Sequence, residues 1–247
     1  MSADASTKSA QTISPANFVS AIQTVAKDSA LGRDDAETFT IEGPTTVLLL
    51  GATESGKTQW ILNIIVEGRI QHLEEYARLV IFATRMTSNP AYKSIEDFMR
   101  QKIPNLDVQT FTELTRTKLL TEPTQQETKT IYIIDDFLNV KGAQEIINEF
   151  ITSGKRSTPS VAFVAIQRYM PKDGMIARQN AGVIVMFPMR NDKQNEKLLL
   201  TRLAGEKSLS ENLMPRLHME GVEKPFLVFD NQRPSLKIYD SYLAVVE

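Results

Sequence analysis

The sequence predicts a three-layer α/β fold with a mainly parallel central sheet and a C-terminal β-hairpin, and three observations carry that prediction. Apolar runs of strand length at 79–84, 131–134 and 161–166 are continuous rather than alternating, as suits strands covered on both faces. Segments of helical periodicity separate them, which makes βαβ units with right-handed crossovers. Residues 47–58, read VLLLGATESGKT, place four variable residues between a glycine and Gly-Lys-Thr, directly after an apolar run and directly before a helical one.

Length and composition fit that class. The 247 residues suffice for one substantial core with decorations, divided here into residues 1–43, a tail and short helix, and residues 44–247, the α/β domain. Hydrophobic residues at 42% and charged residues at 23% are an ordinary globular balance and argue against extensive disorder. Cys is absent, which excludes a disulfide framework and a thiolate metal site, and His72 and His218 are the two imidazoles. The apolar runs fall far short of the roughly twenty residues that span a bilayer, and the N-terminus has no apolar signal core, so no transmembrane segment is expected. A formal net charge of −2 exerts no global pull on nucleic acid, so any such contact needs a local basic cluster.

Taken in order, residues 1–14 are rich in Ser, Ala and Thr without apolar periodicity and read as a flexible tail. Ser14-Pro15 offers a cap and a first-turn proline, and Phe18, Ile22 and Val25 recur at helical spacing, predicting a helix over 15–27. Phe39-Thr40-Ile41 reads as extended, and Gly43-Pro44 breaks the chain before a strand that begins at Thr46. Trp60, Ile61, Ile64, Ile65 and Ile70 give the next helix a broad apolar face. A strand over 79–84 follows, then a turn at Asn89-Pro90, a helix over 92–102 with Ile95, Phe98 and Met99 inward, and a short strand over 107–111. Residues 112–129 read as a short helix and an exposed loop. The strand over 131–134 ends in Asp135-Asp136, and Ala143, Ile146, Ile147, Phe150 and Ile151 stripe the helix after it. Strands over 161–166, ending in Gln167, and over 183–187, ending near Arg190, precede a helix over 192–204. Residues 226–229 and 236–239, around Asn231-Gln-Arg-Pro234, form the predicted hairpin.

In a parallel sheet the ligand site lies at the carboxyl ends of the strands, and Gly51, Thr84, Asp135, Gln167 and Arg190 all stand where a predicted strand runs out. Glycines 51 and 56 let successive backbone N–H groups turn toward one anionic point, at which the following helix also aims its positive end. Gly51, Ala52, Thr53, Glu54, Ser55, Gly56, Lys57 and Thr58, with Gln59 behind them, are thus the expected cradle for a triphosphate. Lys57 would reach the outer phosphates and Thr58 would offer its hydroxyl to the bridging Mg²⁺. Asp135 is placed to orient Mg²⁺ or its waters from the far side. Asp136 either polarises the attacking water or caps the next helix. Gln167 either donates to the γ-phosphate while accepting from that water, or simply surfaces at a strand end. Arg85, Arg156, Arg178 and Arg190 fall in or near loops on this side, and are candidates for a guanidinium reaching a neighbour's site or else solvated surface. Lys155, Arg156, Arg168, Lys172 and Arg178, with Tyr169 among them, are the densest basic grouping, a contact for duplex phosphates or a solvated basic loop.

The phosphate-loop sequence GATESGKT, the 79–84 strand, the Asp135-Asp136 pair, strand-terminal Gln167 and the VIVMFPMRN stretch together resemble a known family. It is the viral genome-packaging ATPases of the FtsK-HerA superfamily, in the poxvirus-type branch, and the likeness spans about residues 47–190. The resemblance implies a RecA-like, additional-strand P-loop NTPase in which the second apolar strand, 79–84, lies between the Walker A and Walker B strands. It implies ATP and Mg²⁺ as cofactors, with Lys57 and Thr58 on phosphate and metal, Asp135 in the Walker B role, Asp136 polarising water and Gln167 as sensor. It implies a homo-oligomeric ring, pentamer or hexamer, that moves double-stranded DNA into a capsid. Capsid or internal-membrane proteins of a virion would be its partners, in the host cytoplasm or on the virion. Asp136 departs from the glutamate more usual in the superfamily. Two alternatives use the same loop: a cellular or plasmid DNA pump of the superfamily, and a nucleotide-dependent switch or small-molecule kinase.

Overall fold

The long apolar runs become the inner strands of one sheet. The computed structural model describes residues 38–121, 128–137, 140–152, 160–166, 179–189, 193–219, 222, 224–240 and 243–244. In chain order the elements are β1 (Thr45–Leu50), α1 (Lys57–Val66), β2 (Arg78–Ala83), α2 (Pro90–Lys102) and β3 (Asp107–Phe111). Next come β4 (Thr130–Asp135), α3 (Ala143–Thr152), β5 (Ser160–Ile166), β6 (Val183–Met186), α4 (Lys193–Ala204) and α5 (Lys207–Leu217), and the chain closes with β7 (Leu227–Asp230), β8 (Lys237–Asp240) and β9 (Leu243–Ala244). The helix expected over 15–27 lies outside the described residues.

The nine strands form a single sheet in the order β3-β2-β4-β5-β1-β6-β7-β8-β9. Pairing is parallel from β3 through β6 and antiparallel from β6 through β9. One expectation is overturned here. The strand between the Walker A strand β1 and the Walker B strand β4 is β5, residues Ser160–Ile166, and not the 79–84 run, whose strand β2 lies on the outer side of β4. Hydrophobic runs identify which segments are strands, but a right-handed crossover can carry the chain to either side of β1, so composition alone does not fix the order.

Every residue of β1, β4, β5 and β6 is buried, because helices cover both faces of the sheet. On one face Leu48, Leu50, Val80, Phe82, Tyr132 and Ile134 share a cluster with Ile147, Phe150 and Ile151 of α3, Leu199, Leu200 and Leu203 of α4, and Leu213 and Leu217 of α5. The intervening residues Val47, Leu49, Ile81, Ile133 and Phe163 point the other way and are equally buried. On that side Trp60 of α1 meets Phe163 edge-on, with ring centroids 6.5 Å apart. Phe39 and Ile41, ahead of β1, belong to the same core. Phe39 packs 5.4 Å from the ring of Tyr239 on β8, and Ile41 bridges in parallel to Ile70.

The outer strand β3 is only partly covered, and it carries charge: Arg78 of β2 pairs with Asp107 of β3 at 2.9 Å. Charge on an edge strand discourages pairing with another chain. Two elements were not expected from the sequence. Helix α5 contains Pro215 in its last turn, where the lost backbone bond does not stop the helix, and Ser210, Leu213 and Leu217 supply its buried face. Strand β9 extends the predicted C-terminal hairpin by pairing Leu243 and Ala244 with β8.

Candidate active site

Five strand ends converge because five parallel strands run in register. Leu50 of β1 lies level with Ile166 of β5 and Met186 of β6, and Asp135 of β4 lies level with Ala165 of β5 and Ala83 of β2. The segment after β1 is therefore anchored on both sides. The Gly51 N–H donates to the Ile166 carbonyl at 3.2 Å, and the Phe187 N–H donates to the Leu50 carbonyl at 2.8 Å. Gly51 needs its missing side chain, because a Cβ there would stand 2.7 Å from the Cβ of Phe187. Gly56 ends the loop with φ 102°, a left-handed conformation that glycine adopts freely, and hands the chain to α1.

The side chains of the loop bond to its own backbone and to the end of β4. Lys57 is buried, and its Nζ donates to the carbonyls of Gly51 at 2.9 Å and Ala52 at 2.6 Å. Burial lowers its pKa from the ordinary 10.5, while the carboxylates of Asp135 and Asp136 act in the opposite direction. The Thr58 hydroxyl donates to Oδ2 of Asp135 at 2.7 Å, joining the start of α1 directly to the end of β4. Asp135 is buried, whereas Asp136 is half-buried, has φ 67° and accepts from the Thr84 hydroxyl at 3.4 Å. Asp136 does not adjoin α3, which opens at Ala143, so the capping alternative has no helix to act on among the described residues.

Above these groups opens a cleft of about 440 Å³, lined by Thr53, Glu54, Gly56, Lys57, Thr58, Gln59, Arg85, Tyr92, Asp135, Asp136 and Lys224 among others. Arg85, one of the four arginine candidates, thus lies at the cleft of its own chain. Gln167, Arg156, Arg178 and Arg190, and the DNA-contact candidates Lys155, Arg168 and Lys172, lie outside the described residues. The donor set fits the expected groups. A glycine-bounded loop at a helix N-terminus with a buried lysine suits a polyphosphate, and the Thr58 hydroxyl and Asp135 carboxylate are the hard oxygen ligands that Mg²⁺ takes sparingly from protein.

Six lining residues, Ser88, Asn89, Pro90, Ala91, Tyr92 and Lys224, were missed by sequence reasoning, and two of them bear on the geometry. Tyr92, in the first turn of α2, donates its hydroxyl to the same Oδ2 of Asp135 at 2.6 Å. A signal for it existed. Because α2 follows β2, its first turn must lie at the carboxyl edge of the sheet, and Asn89 caps it by accepting from the Ala91 N–H at 3.1 Å. Lys224 had no such signal. Its stem lies over Gly56, where a Cβ would come within 2.8 Å of its Cδ, and its backbone is left-handed at φ 58°.

No protein-family model and no curated protein matches the chain. Among solved structures, it is similar to the genome packaging NTPase B204 from Sulfolobus turreted icosahedral virus 2 in complex with ATP-gammaS. That likeness has 16% identity over 81% of this chain and 98% of the other, with a TM-score of 0.47. B204, the DNA-packaging ATPase from Sulfolobus Turreted Icosahedral Virus, gives 15% identity, 79% and 96% coverage and a TM-score of 0.48. The pCW3 conjugation coupling protein TcpA, in its monomer form with ATPgS, gives 15%, 80% and 60%, and 0.46. The functional reading rests on the chain's own geometry and motifs.

Proposed function

We propose that this chain is an ATP-hydrolysing motor that translocates double-stranded DNA, working in a homo-oligomeric ring to package a viral genome. The observation that carries the hydrolytic part is the junction of Thr58 and Asp135 beneath a cleft that also holds Lys57, Asp136 and Arg85. In that cleft the loop N–H groups and Lys57 bind and orient the triphosphate. Asp136, less buried than Asp135 and facing the cleft, is the carboxylate placed to hold a water and accept its proton. Arg85 offers a planar cation to the transferred charge from within the same chain. Bound Mg²⁺ would be held by Thr58 and Asp135 and would neutralise developing charge on the phosphate oxygens. The DNA-moving part is supported by the sequence resemblance, which joins strand-terminal Gln167 to the aspartate pair and the phosphate loop.

The test is turnover of ATP by the full chain with and without duplex DNA. Hydrolysis should rise with duplex DNA and fall to background in Lys57→Ala. Unchanged turnover with DNA, in a preparation shown to be a ring, would exclude the motor while leaving the ATPase intact.

A further inference from the structure

Asp135 Oδ2 accepts from two hydroxyls at once, Thr58 at 2.7 Å and Tyr92 at 2.6 Å. These bonds differ in what they fix. Thr58 stands in the first turn of α1, directly behind the loop, whereas Tyr92 comes from α2, a separate 13-residue helix begun by a capped turn with Pro90 at its first position. Tyr92 is itself buried, at 4% exposure. Its ring therefore cannot swing away without opening the core, and its hydroxyl has a fixed origin. We propose that Tyr92 is a positioning residue for the metal: by holding the Asp135 carboxylate in one rotamer, it aims the Thr58 oxygen at the Mg²⁺ that accompanies the nucleotide. The proposal rests on the nucleotide reading of the cleft.

Chemistry supports this direction of control. A carboxylate has two oxygens with several acceptor directions, so two donors on one oxygen leave the other free to face the cleft. Both Thr58 and Asp135 line the cleft. Partners of this kind, standing behind a metal ligand, typically account for about 10–100-fold of metal affinity.

The experiment measures binding of a fluorescently labelled ATP to the full chain and to Tyr92→Phe, in EDTA and over a range of free Mg²⁺. The phenyl ring preserves the packing, and a thermal melt confirms that the variant is folded. We expect Tyr92→Phe to bind the labelled ATP as the unmodified chain does in EDTA, and to need roughly 10-fold more Mg²⁺ to reach its full affinity. In an Asp135→Ala background, which removes the acceptor, the same substitution should shift the Mg²⁺ midpoint no further. Equal weakening with and without Mg²⁺, an unshifted midpoint, or a full shift persisting in Asp135→Ala would overturn the proposal. Failure of the unmodified chain to bind labelled ATP under any condition would instead remove the nucleotide reading, and this role with it.

Discussion

Lys57 enters the folded loop as a buried cation solvated by two carbonyl oxygens, those of Gly51 and Ala52. Its depressed pKa has a definite sign of effect. The cost of burying the charge is present while Lys57 is protonated, below its folded pKa, and is relieved as pH rises through that value. A phosphate favours the protonated form and draws the pKa back up. Nucleotide affinity should therefore decline with rising pH from below 10.5, the ordinary lysine value. Titrations with labelled ATP at stepped alkaline pH check this, and a decline confined to pH above 10.5 would contradict it. Asp136 yields to a similar local argument. Its φ of 67° is left-handed, which aspartate tolerates better than most residues, and this gives a backbone reason for a short carboxylate at a position where the resembling family more often has glutamate. The phosphate loop was legible because a local motif specifies it. The place of Tyr92 at the carboxyl edge followed from α2 succeeding β2, but its bond was not legible, because its partner Asp135 is 43 positions away.

At the scale of elements, Glu196 explains how α4 and α5 are held to the end of β6. It is fully buried on the first turn of α4, accepts from the Met189 N–H at 2.5 Å through one oxygen and meets His218 Nε2 at 2.5 Å through the other. Truncation would leave the Met189 N–H without its acceptor in the interior, while the half-exposed His218 would lose its partner at the rim. Glu196→Ala should cost roughly 2–4 kcal/mol of stability, read as a lower urea midpoint, and Glu196→Gln clearly less because its carbonyl still accepts. Equal losses would show that the pairing with His218 depends on charge alone, against this account. Sequence gave no hint of the role, since a glutamate in a helix's first turn ordinarily faces water. The inner strands were legible for the opposite reason: being covered on both faces, their composition records burial directly. Helix α5 was not, because polar residues and Pro215 dilute a stripe of only Ser210, Leu213 and Leu217.

For the whole molecule, the strand order was the least legible feature, because β5 pairs with both β1 and β4 through contacts that no local pattern encodes. That order nevertheless shapes the candidate site: it spaces β1 and β4 one strand apart, and Thr58 still reaches Asp135 across the gap. The same three-layer construction buries Trp60 at 2% exposure, among Phe39, Phe163 and Phe226 with ring centroids 6.2–6.5 Å away. Urea should move the Trp60 emission to the red together with the loss of the helical circular dichroism signal. An earlier fluorescence change would show that the layer carrying α1 opens before the rest of the sheet. Trp60 is also the only tryptophan in the chain, and it stands on the helix that begins at Lys57. All indole light thus comes from one place, two residues beyond Thr58. The indole lies behind the cleft rather than in its lining, so a change in its light on adding nucleotide would show that filling the cleft is felt in the packing beneath α1, with no dye attached.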